Sequence, residues 1–236
     1  MNDKQVAGVG FDVDHTLVID NKLERIAMLR MLQTIEDDGG APCRNLLEES
    51  RRIDELLACQ RAGDFSIDEA VDRFVSERGI APDARYVERF KTIALDMVEQ
   101  VVVPLPGARD ALRELQRCGM RVAVLSNGWN PLQIAKARRA GFDGPVIASA
   151  DIGVQKPDPR AFDALVETLG TLPGQTCYVG DGPSIDVAGA AKAGLQTVWI
   201  DADELPYPAG VAPPDYRVEC LSDLPALLNG ANLAME

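Results

Sequence analysis

The sequence predicts an α/β protein in which a parallel sheet with helices on both faces is interrupted, after its first strand, by a helical insertion. From Pro104 to Asp201, short apolar runs alternate with helical patterns, which is typical of a parallel sheet covered on both faces. From about Lys22 to Gln100 there is little strand pattern, and apolar residues recur at helical spacing. The apolar run from Val6 to Phe11 stands before this helical stretch and predicts a first strand of the sheet.

These changes of periodicity divide the chain into a sheet core, residues 1–18 and 104–236, and a helical region, residues 19–103. In the helical region, Ser66 and Glu69 form a capping box that opens one helix, and Pro82 and Asp83 stand where another begins. The apolar stripe through Phe90 indicates a further buried helix face. We expect about four helices there.

The remaining elements of the core follow in order along the chain. Pro106-Gly107 precedes a helical pattern through Leu112 and Leu115. Strands are predicted over residues 120–126, 145–150, 175–180 and 196–201, and helices over 131–140, 160–169 and 185–193. Near the end, residues 205–214 predict an irregular loop, 216–219 an edge strand and 221–228 a short helix.

Composition excludes several classes of protein. The formal net charge of -13 over 236 residues argues against a nucleic-acid partner, because phosphate backbones require a basic surface. The five cysteines are odd in number and include no Cys-x-x-Cys pair, which favours reduced thiols over disulfides or a zinc site. No apolar run reaches the ~18 residues of a membrane helix, and the first strand leaves no room for a signal peptide. We therefore expect a cytoplasmic protein without a membrane partner.

Polar residues stand at the carboxyl ends of the predicted strands, where open parallel sheets bind ligands. Asp12 and Asp14 follow the first strand and point the same way, because side chains alternate along a strand. Two such carboxylates suit a hard metal ion, with one free to attack and one to transfer a proton. A bare Asp-x-Asp fits an acidic turn equally well, so the other segments must decide.

Three further segments supply complementary chemistry. Ser126-Asn127-Gly128 could hold phosphate oxygens, although alone it also fits an ordinary turn. Lys156 lies in a loop stiffened by two prolines, which suits an anion holder better than a solvated charge. Asp181 ends a buried strand and so requires a partner such as a metal ion. Asp186 could instead be a simple helix cap.

The four segments in this order resemble the signature motifs of the haloacid dehalogenase superfamily. They read Phe-Asp-Val-Asp-His-Thr-Leu, Leu-Ser-Asn-Gly, Lys-Pro-Asp-Pro and Val-Gly-Asp-x-x-x-x-Asp. The helical region between the first two motifs is similar to the inserted helical cap of that superfamily, and its phosphatase branch, similar to phosphoglycolate phosphatases, fits best. His15 departs from the usual Gly, and Ile185 departs from the Asn that many relatives carry.

The resemblance implies a Rossmann-like core and a role for each motif residue. Asp12 would be the nucleophile that forms an aspartyl-phosphate, and Asp14 the general acid and base. Mg²⁺ would be bound by Asp12, Asp181 and the Asp14 backbone carbonyl. Residues 19–103 would act as a cap that excludes water. The substrate-binding residues would be Thr16, which orients the first loop, with Ser126, Asn127 and Lys156 on the phosphate, and Asp186 would act from behind on Lys156 or a metal-bound water.

The predicted function is therefore Mg²⁺-dependent hydrolysis of a small phosphorylated metabolite. A 2-haloacid dehalogenase of the same superfamily would need neither Asp14 nor Asp181, and a sugar phosphomutase would share all four motifs. From another class, a receiver-type phospho-acceptor also combines Asp, Lys and a hydroxyl residue, but it needs no helical insertion. Trp129 could contact the leaving group or simply pack, and the sequence names neither the substrate nor the oligomeric state.

Overall fold

The computed structural model describes residues 5–201 and 206–233, which form two compact units. One unit consists of the chain up to Asp20 and from Val103 onward, and the other is Asn21–Val102. At the joint, the short strands Val18–Ile19 and Val103–Pro104 pair antiparallel, with Val18 opposite Pro104. The chain therefore leaves and re-enters the first unit through a two-stranded ribbon.

The first unit contains a six-stranded sheet, and all its described strand pairs are parallel. In chain order the strands are β1 Gly8–Phe11, β2 Val18–Ile19, β3 Val103–Pro104, β4 Arg121–Ser126, β5 Val146–Ala148, β6 Thr176–Gly180, β7 Gln196–Ile200 and β8 Tyr216–Val218. The order across the six-stranded sheet is β5-β4-β1-β6-β7-β8, and β2 and β3 form the separate ribbon. The central position of β1, with all four residues buried, matches its uninterrupted apolar sequence.

The helices are α1 Leu23–Asp37, α2 Leu46–Ala62, α3 Ile67–Ser76, α4 Ala84–Val101, α5 Ala108–Arg117, α6 Leu132–Arg139, α7 Ser149–Ile152, α8 Pro159–Leu169, α9 Ala188–Lys192 and α10 Leu224–Leu233. The α/β class with a Rossmann-like parallel sheet, expected from the alternating pattern, is confirmed. Two elements, the strand predicted over residues 145–150 and the helix predicted over 185–193, differ from expectation in where they end or how they begin. The former ends at Ala148 because residues 149–152 already turn into α7, and the latter begins with a π-helical turn, Pro183–Val187.

The helix α8 packs on one face of the sheet through Phe162, Leu165 and Leu169, all buried. Gly10 of β1 allows this close approach, because a Cβ there would come within 2.3 Å of the Leu165 side chain. The Phe162 ring meets the Tyr178 ring edge-to-face, with centroids 5.1 Å apart. This packing fixes Tyr178 of β6, whose hydroxyl group then reaches the carboxyl edge of the sheet.

The second unit contains four helices, α1 to α4, over residues that are all described. Ser66 and Glu69 form the capping box of α3, and the Asp83 side chain caps α4 by accepting from the Arg85 N–H at 2.9 Å. The apolar stripe of α4 is buried through Phe90, Ile93, Ala94, Met97 and Val98. Caps and stripe together explain why this stretch forms helices around a core of its own.

Several smaller expectations can also be compared with the structure. The strand Tyr216–Val218 lies at the edge of the sheet, as predicted, and residues 206–214 form no helix or strand, while Leu205 lies outside the described residues. All five cysteines are free thiols. Within the described ranges, no helix is long and apolar enough to span a membrane.

Candidate active site

The carboxyl ends of β1, β4 and β6 meet at one edge of the sheet and bring the predicted site residues together. Asp12 follows β1 directly, and its N–H donates to the Val179 carbonyl of β6 at 3.0 Å. Ser126 is the last residue of β4 and is buried, while Asp181 follows β6. Because β1 pairs with both neighbouring strands in parallel register, with Phe11 opposite Val124 and Val179, Ser126 and Asp181 arise within one residue of the level of Asp12.

Lys156 is the cation at the centre of this edge, with only 1% of its side chain exposed. Its ammonium group lies 2.9 Å from Asp12 Oδ1 and donates to Asp186 Oδ1 at 2.8 Å and to the Tyr178 hydroxyl at 2.9 Å. The Tyr178 hydroxyl in turn donates to the Leu125 carbonyl at 2.7 Å. Every hydrogen-bonding position of the ammonium group is thus matched by an acceptor.

Asn127 holds the backbone on which Lys156 sits. Its side-chain amide donates to the Lys156 carbonyl at 2.8 Å, and its Oδ1 accepts from the Lys156 N–H at 2.8 Å. Sequence analysis assigns Asn127 to the substrate. In the structure both polar atoms of this side chain are bonded to the Lys156 backbone, so the side chain fixes the loop carrying the cation, and the contact with a substrate stays a prediction.

Burial and neighbouring charges determine the ionisation of Asp12 and Lys156. Burial raises the pKa of Asp12, while Lys156 opposes that rise and Asp186 adds to it. Burial alone would lower the pKa of Lys156, but Asp12 and Asp186 raise it well above its ordinary value. The lysine therefore stays charged, and it is the group that supports an ionised Asp12 in a buried place.

Three carboxylates cluster beside Lys156. One oxygen each of Asp12, Asp181 and Asp186 lies within 4.8 Å of the others. Burial, together with the charges of Asp12 and Asp186, raises the pKa of Asp181 to about 7. Asp186 is fixed by Lys156 and by the Gly182 N–H, which donates to its Oδ2 at 2.9 Å. These oxygen donors fit a hard divalent cation, whose charge would relieve the repulsion that raises the pKa of Asp181.

Thr16 contributes to this cluster from the loop after β1. Its side chain is fully buried, and its hydroxyl donates to Asp181 Oδ1 at 3.3 Å. Sequence analysis places Thr16 among the substrate-binding residues as the one that orients the first loop. In the structure Thr16 is buried against Asp181, which suits the orientation of that loop, and its placement among the substrate-binding residues stays a prediction.

Asp14 has a different partner, which sequence analysis missed. Lys136 of α6 is buried and donates to both carboxylate oxygens of Asp14, at 2.8 and 3.0 Å, and to Asp20 Oδ2 at 3.3 Å. Burial raises the pKa of Asp14, Lys136 opposes the rise, and Asp20 and Asp12 add to it. A signal existed in the sequence: Lys136 falls on the same helix face as the buried Leu132 and therefore points inward.

The loop after β4 is supported by another residue that the sequence did not reveal. Ser149 is buried at the start of α7, and its hydroxyl accepts from the Gly128 N–H at 3.0 Å. Gln133 also packs against Gly128, since a Cβ at that glycine would lie 2.3 Å from the Gln133 amide nitrogen. Trp129 is buried, 4% exposed, which favours packing over contact with a ligand.

The two departures from the family pattern have local explanations. His15 is exposed and has φ of 60°, in the left-handed region that glycine adopts most easily. Histidine tolerates this region better than most residues, so the turn forms without the usual glycine. Ile185 is 43% exposed, and Asp186 keeps its bonds to Lys156 and Gly182 without an Asn beside it.

Two curated relatives are similar over different lengths. The phosphoserine phosphatase of Thermus thermophilus is 38% identical over 122 residues, which are 50% of this chain and 49% of that enzyme. The chain thus matches about half the length of this relative. The glyceraldehyde 3-phosphate phosphatase of Methanopyrus kandleri is 28% identical over 198 residues, covering 83% of this chain and 84% of that enzyme.

Two solved structures share the fold over nearly the whole chain. The HAD-hydrolase YfnB of Bacillus subtilis, bound to magnesium, has a TM-score of 0.69 and 25% identity, covering 96% of this chain and 100% of its own. A 2-haloacid dehalogenase from Pseudomonas syringae has a TM-score of 0.73 and 25% identity, over 96% and 100%. Both phosphatases and dehalogenases are therefore among the relatives.

A family model decides the wider classification. The model described as a hydrolase, haloacid dehalogenase-like, matches residues 6–194, which include all four motifs and the helical unit. This agrees with the sheet order, with the carboxylates at the end of β1 and with the solved structures of similar fold. The chain belongs to the haloacid dehalogenase-like hydrolases.

Proposed function

We propose that the protein is a Mg²⁺-dependent phosphatase that hydrolyses a small phosphomonoester through an aspartyl-phosphate on Asp12. The observation that carries this proposal is the arrangement around Asp12, where Lys156 lies 2.9 Å from one carboxylate oxygen and Asp181 belongs to the same acidic cluster. Phosphoryl transfer requires a nucleophile, a positive charge and oxygen ligands for a metal ion, and this arrangement offers all three. Relatives named as phosphatases support it further.

In the first step an Asp12 carboxylate oxygen attacks phosphorus. A bond forms between that oxygen and phosphorus, and the bond from phosphorus to the leaving oxygen breaks. Asp14 gives a proton to the leaving oxygen, so that an alcohol departs. In this proposal the charge of Lys156 and the donors of the loop from Ser126 stabilise the charge that accumulates on the phosphoryl oxygens, which lowers the energy of the transition state.

In the second step water hydrolyses the aspartyl-phosphate. Asp14, now ionised, takes a proton from the water as its oxygen attacks phosphorus. The bond from phosphorus to the Asp12 oxygen breaks, which releases inorganic phosphate and restores the Asp12 carboxylate. Asp14 ends the cycle protonated again, so one group serves as acid and then as base.

Asp12, Asp181 and the Asp14 backbone carbonyl would hold the Mg²⁺ ion. When bound, it neutralises charge on the phosphate and on the attacking carboxylate. Burial and the charges of Asp12 and Asp186 raise the pKa of Asp181 to about 7, and a cation bound there would favour its ionised form. Thr16 fixes Asp181, and Asp186 fixes Lys156, so each contact group is oriented by a neighbour.

Residues 21–102 would serve as the cap, by analogy with the family, and would select among small phosphorylated metabolites. Haloacid dehalogenation is less well supported, although relatives carry that name. Such an enzyme uses no metal, whereas the carboxylates of Asp181 and Asp186 gather here beside that of Asp12. No feature of the described helices favours a sugar phosphomutase.

The test is phosphate release from an aryl phosphate by the purified protein. We expect activity with Mg²⁺, none with EDTA, recovery when Mg²⁺ is restored, and little activity with Ca²⁺, whose looser coordination suits in-line attack poorly. A panel including phosphoserine, glyceraldehyde 3-phosphate and nucleoside monophosphates would then identify the substrate. Full activity in metal-free buffer, or halide release from a 2-haloacid without phosphate release, would contradict the proposal.

A further inference from the structure

The cation beside Asp14 is not one of the family motif residues noted above. Lys136 lies on α6 with 2% of its side chain exposed, and its ammonium group bonds both oxygens of Asp14 and one of Asp20. Removing one member of such a buried set leaves an uncompensated charge, which is costly in a buried place. The contact is therefore strong enough to fix the orientation of Asp14.

This orientation conflicts with the chemistry of Asp14. A carboxylate that accepts hydrogen bonds from one ammonium group on both oxygens is directed at that ammonium group. To act on a leaving oxygen or a water molecule, at least one Asp14 oxygen must turn away from Lys136. That movement would weaken the bonds between Asp14 and the buried ammonium group, and a second acceptor nearby would offset the loss.

Asp20 is that acceptor. Its Oδ2 is already 3.3 Å from the Lys136 nitrogen, longer than either bond to Asp14, so it can shorten when Asp14 withdraws. Its side chain is 21% exposed, so its own charge is partly solvated throughout. Asp20 is also the last residue of the first segment of the sheet unit, directly before the helical unit begins at Asn21.

We propose that Lys136 is a positioning residue that holds the Asp14 carboxylate in a resting orientation and passes to Asp20 when Asp14 turns to the reacting oxygen. This rests on the proposed function, since it concerns the acid and base of that reaction. Lys136 touches neither substrate nor reacting atoms and acts only through Asp14. Asp20 keeps the buried charge paired and so lowers the cost of releasing Asp14.

The experiment is a double-mutant cycle on the transfer of phosphate to Asp12, measured in single turnovers with an alkyl and an aryl phosphate. Lys136→Gln should slow transfer from the alkyl phosphate by about 10- to 100-fold. The aryl phosphate should be affected far less, because its leaving group needs little protonation. Adding Lys136→Gln to Asp14→Asn should cause no further loss with the alkyl phosphate, because the lysine acts through Asp14.

Two further variants keep the test decisive if Lys136→Gln folds poorly. Lys136→Arg keeps the charge and should recover part of the alkyl rate. Asp20→Asn leaves the bonds to Asp14 in place but weakens the second acceptor, and should also slow the alkyl phosphate selectively. Arg138→Gln is the matched control, because Arg138 is an exposed cation on the same helix with Asp143 as its partner. It should change neither rate.

Equal losses with both substrates, or additive losses in the double variant, would show that Lys136 has only a structural role and would overturn the inference. Unchanged alkyl rates in Lys136→Gln and Asp20→Asn would overturn it as well. Failure of the proposed function gives a distinct result, because the unmodified protein would then release no phosphate from either substrate in Mg²⁺.

Discussion

Two buried lysines flank the end of β1, and they serve the two aspartates of that strand differently. On one side, Lys156 joins Asp12 to Asp186 and Tyr178, and all three partners are fixed by further contacts. On the other, Lys136 joins Asp14 to Asp20, at the end of the first unit, where the chain enters the helical unit. The same pairing of lysine and carboxylate thus occurs once within a network of further fixed contacts and once with a second carboxylate, Asp20, that we propose takes over when Asp14 turns.

The difference follows the chemistry expected of each aspartate. Asp12 must keep one carboxylate oxygen in place for attack on phosphorus, so a rigid network suits it. Asp14 must meet a leaving oxygen and then a water molecule, so a shared partner that can be released suits it. Both aspartates lie within three residues of the end of β1, and the residues that contact them from other elements separate their roles.

The largest effect is expected for Asp14→Asn, which removes the proposed general acid. Transfer of phosphate to Asp12 from an alkyl phosphate should fall by about 10²–10⁴-fold, the usual cost of losing a general acid. Transfer from an aryl phosphate should fall far less, because a phenolate leaves without protonation. Single-turnover rates measure this step apart from the later hydrolysis, and Asp143→Asn, at an exposed carboxylate, is the control. Equal losses would mean that Asp14 is not the acid.

On the rigid side, Lys156→Met should reduce activity toward both kinds of substrate by about 10²–10³-fold, as for loss of a donor to transition-state charge. It should also lower the free energy of unfolding by about 3–5 kcal/mol, because Asp12 and Asp186 lose their buried counter-charge. Rates and denaturant unfolding measure the two effects, with Lys192→Met, an exposed lysine, for comparison. A loss confined to alkyl phosphates would erase the distinction between the lysines.

The acidic cluster predicts a pH dependence for Mg²⁺ binding. Burial with Asp12 and Asp186 raises the pKa of Asp181 to about 7, so below pH 7 a proton occupies a carboxylate that the metal needs. The apparent affinity for Mg²⁺ should therefore rise about tenfold per pH unit below 7 and level off above it, because binding releases that proton. Mg²⁺ titrations followed by calorimetry from pH 5.5 to 8.5 would check this. An affinity independent of pH would contradict it.

The smallest expected effect is that of Tyr178→Phe. The ring contact with Phe162 is kept, but the Leu125 carbonyl loses its donor and Lys156 loses one acceptor. The free energy of unfolding should fall by about 1–3 kcal/mol, and the rate of hydrolysis should fall by about tenfold. Thermal unfolding and steady-state rates measure both. A change in the ratio of alkyl to aryl rates would show that Tyr178 also influences Asp14.

The order of elements and the main site residues could be predicted because both depend on local patterns. The alternation of strands and helices identifies the sheet. Asp12, Ser126 and Asp181 can be recognised because they stand at the ends of apolar strands. Lys156 could be found because two prolines, Pro157 and Pro159, follow it closely. Lys136 could not be recognised so easily, because it stands near two arginines and resembles a solvated helix face.

Pairwise partners were harder to predict for a physical reason. The bonds of Thr16 to Asp181 and of Asn127 to the Lys156 backbone join residues distant in sequence. No local pattern encodes which polar atoms meet once the sheet forms, and only packing against neighbouring strands determines that.

The most direct measurement is to locate the covalent phosphate after rapid acid quench of a single turnover in Mg²⁺, by mass spectrometry of peptides. We predict phosphate on the peptide containing Asp12, appearing before inorganic phosphate is released and absent from Asp12→Asn. Hydrolysis that proceeds at full rate with no phosphorylated peptide, or with phosphate on a residue other than Asp12, would contradict the proposed mechanism.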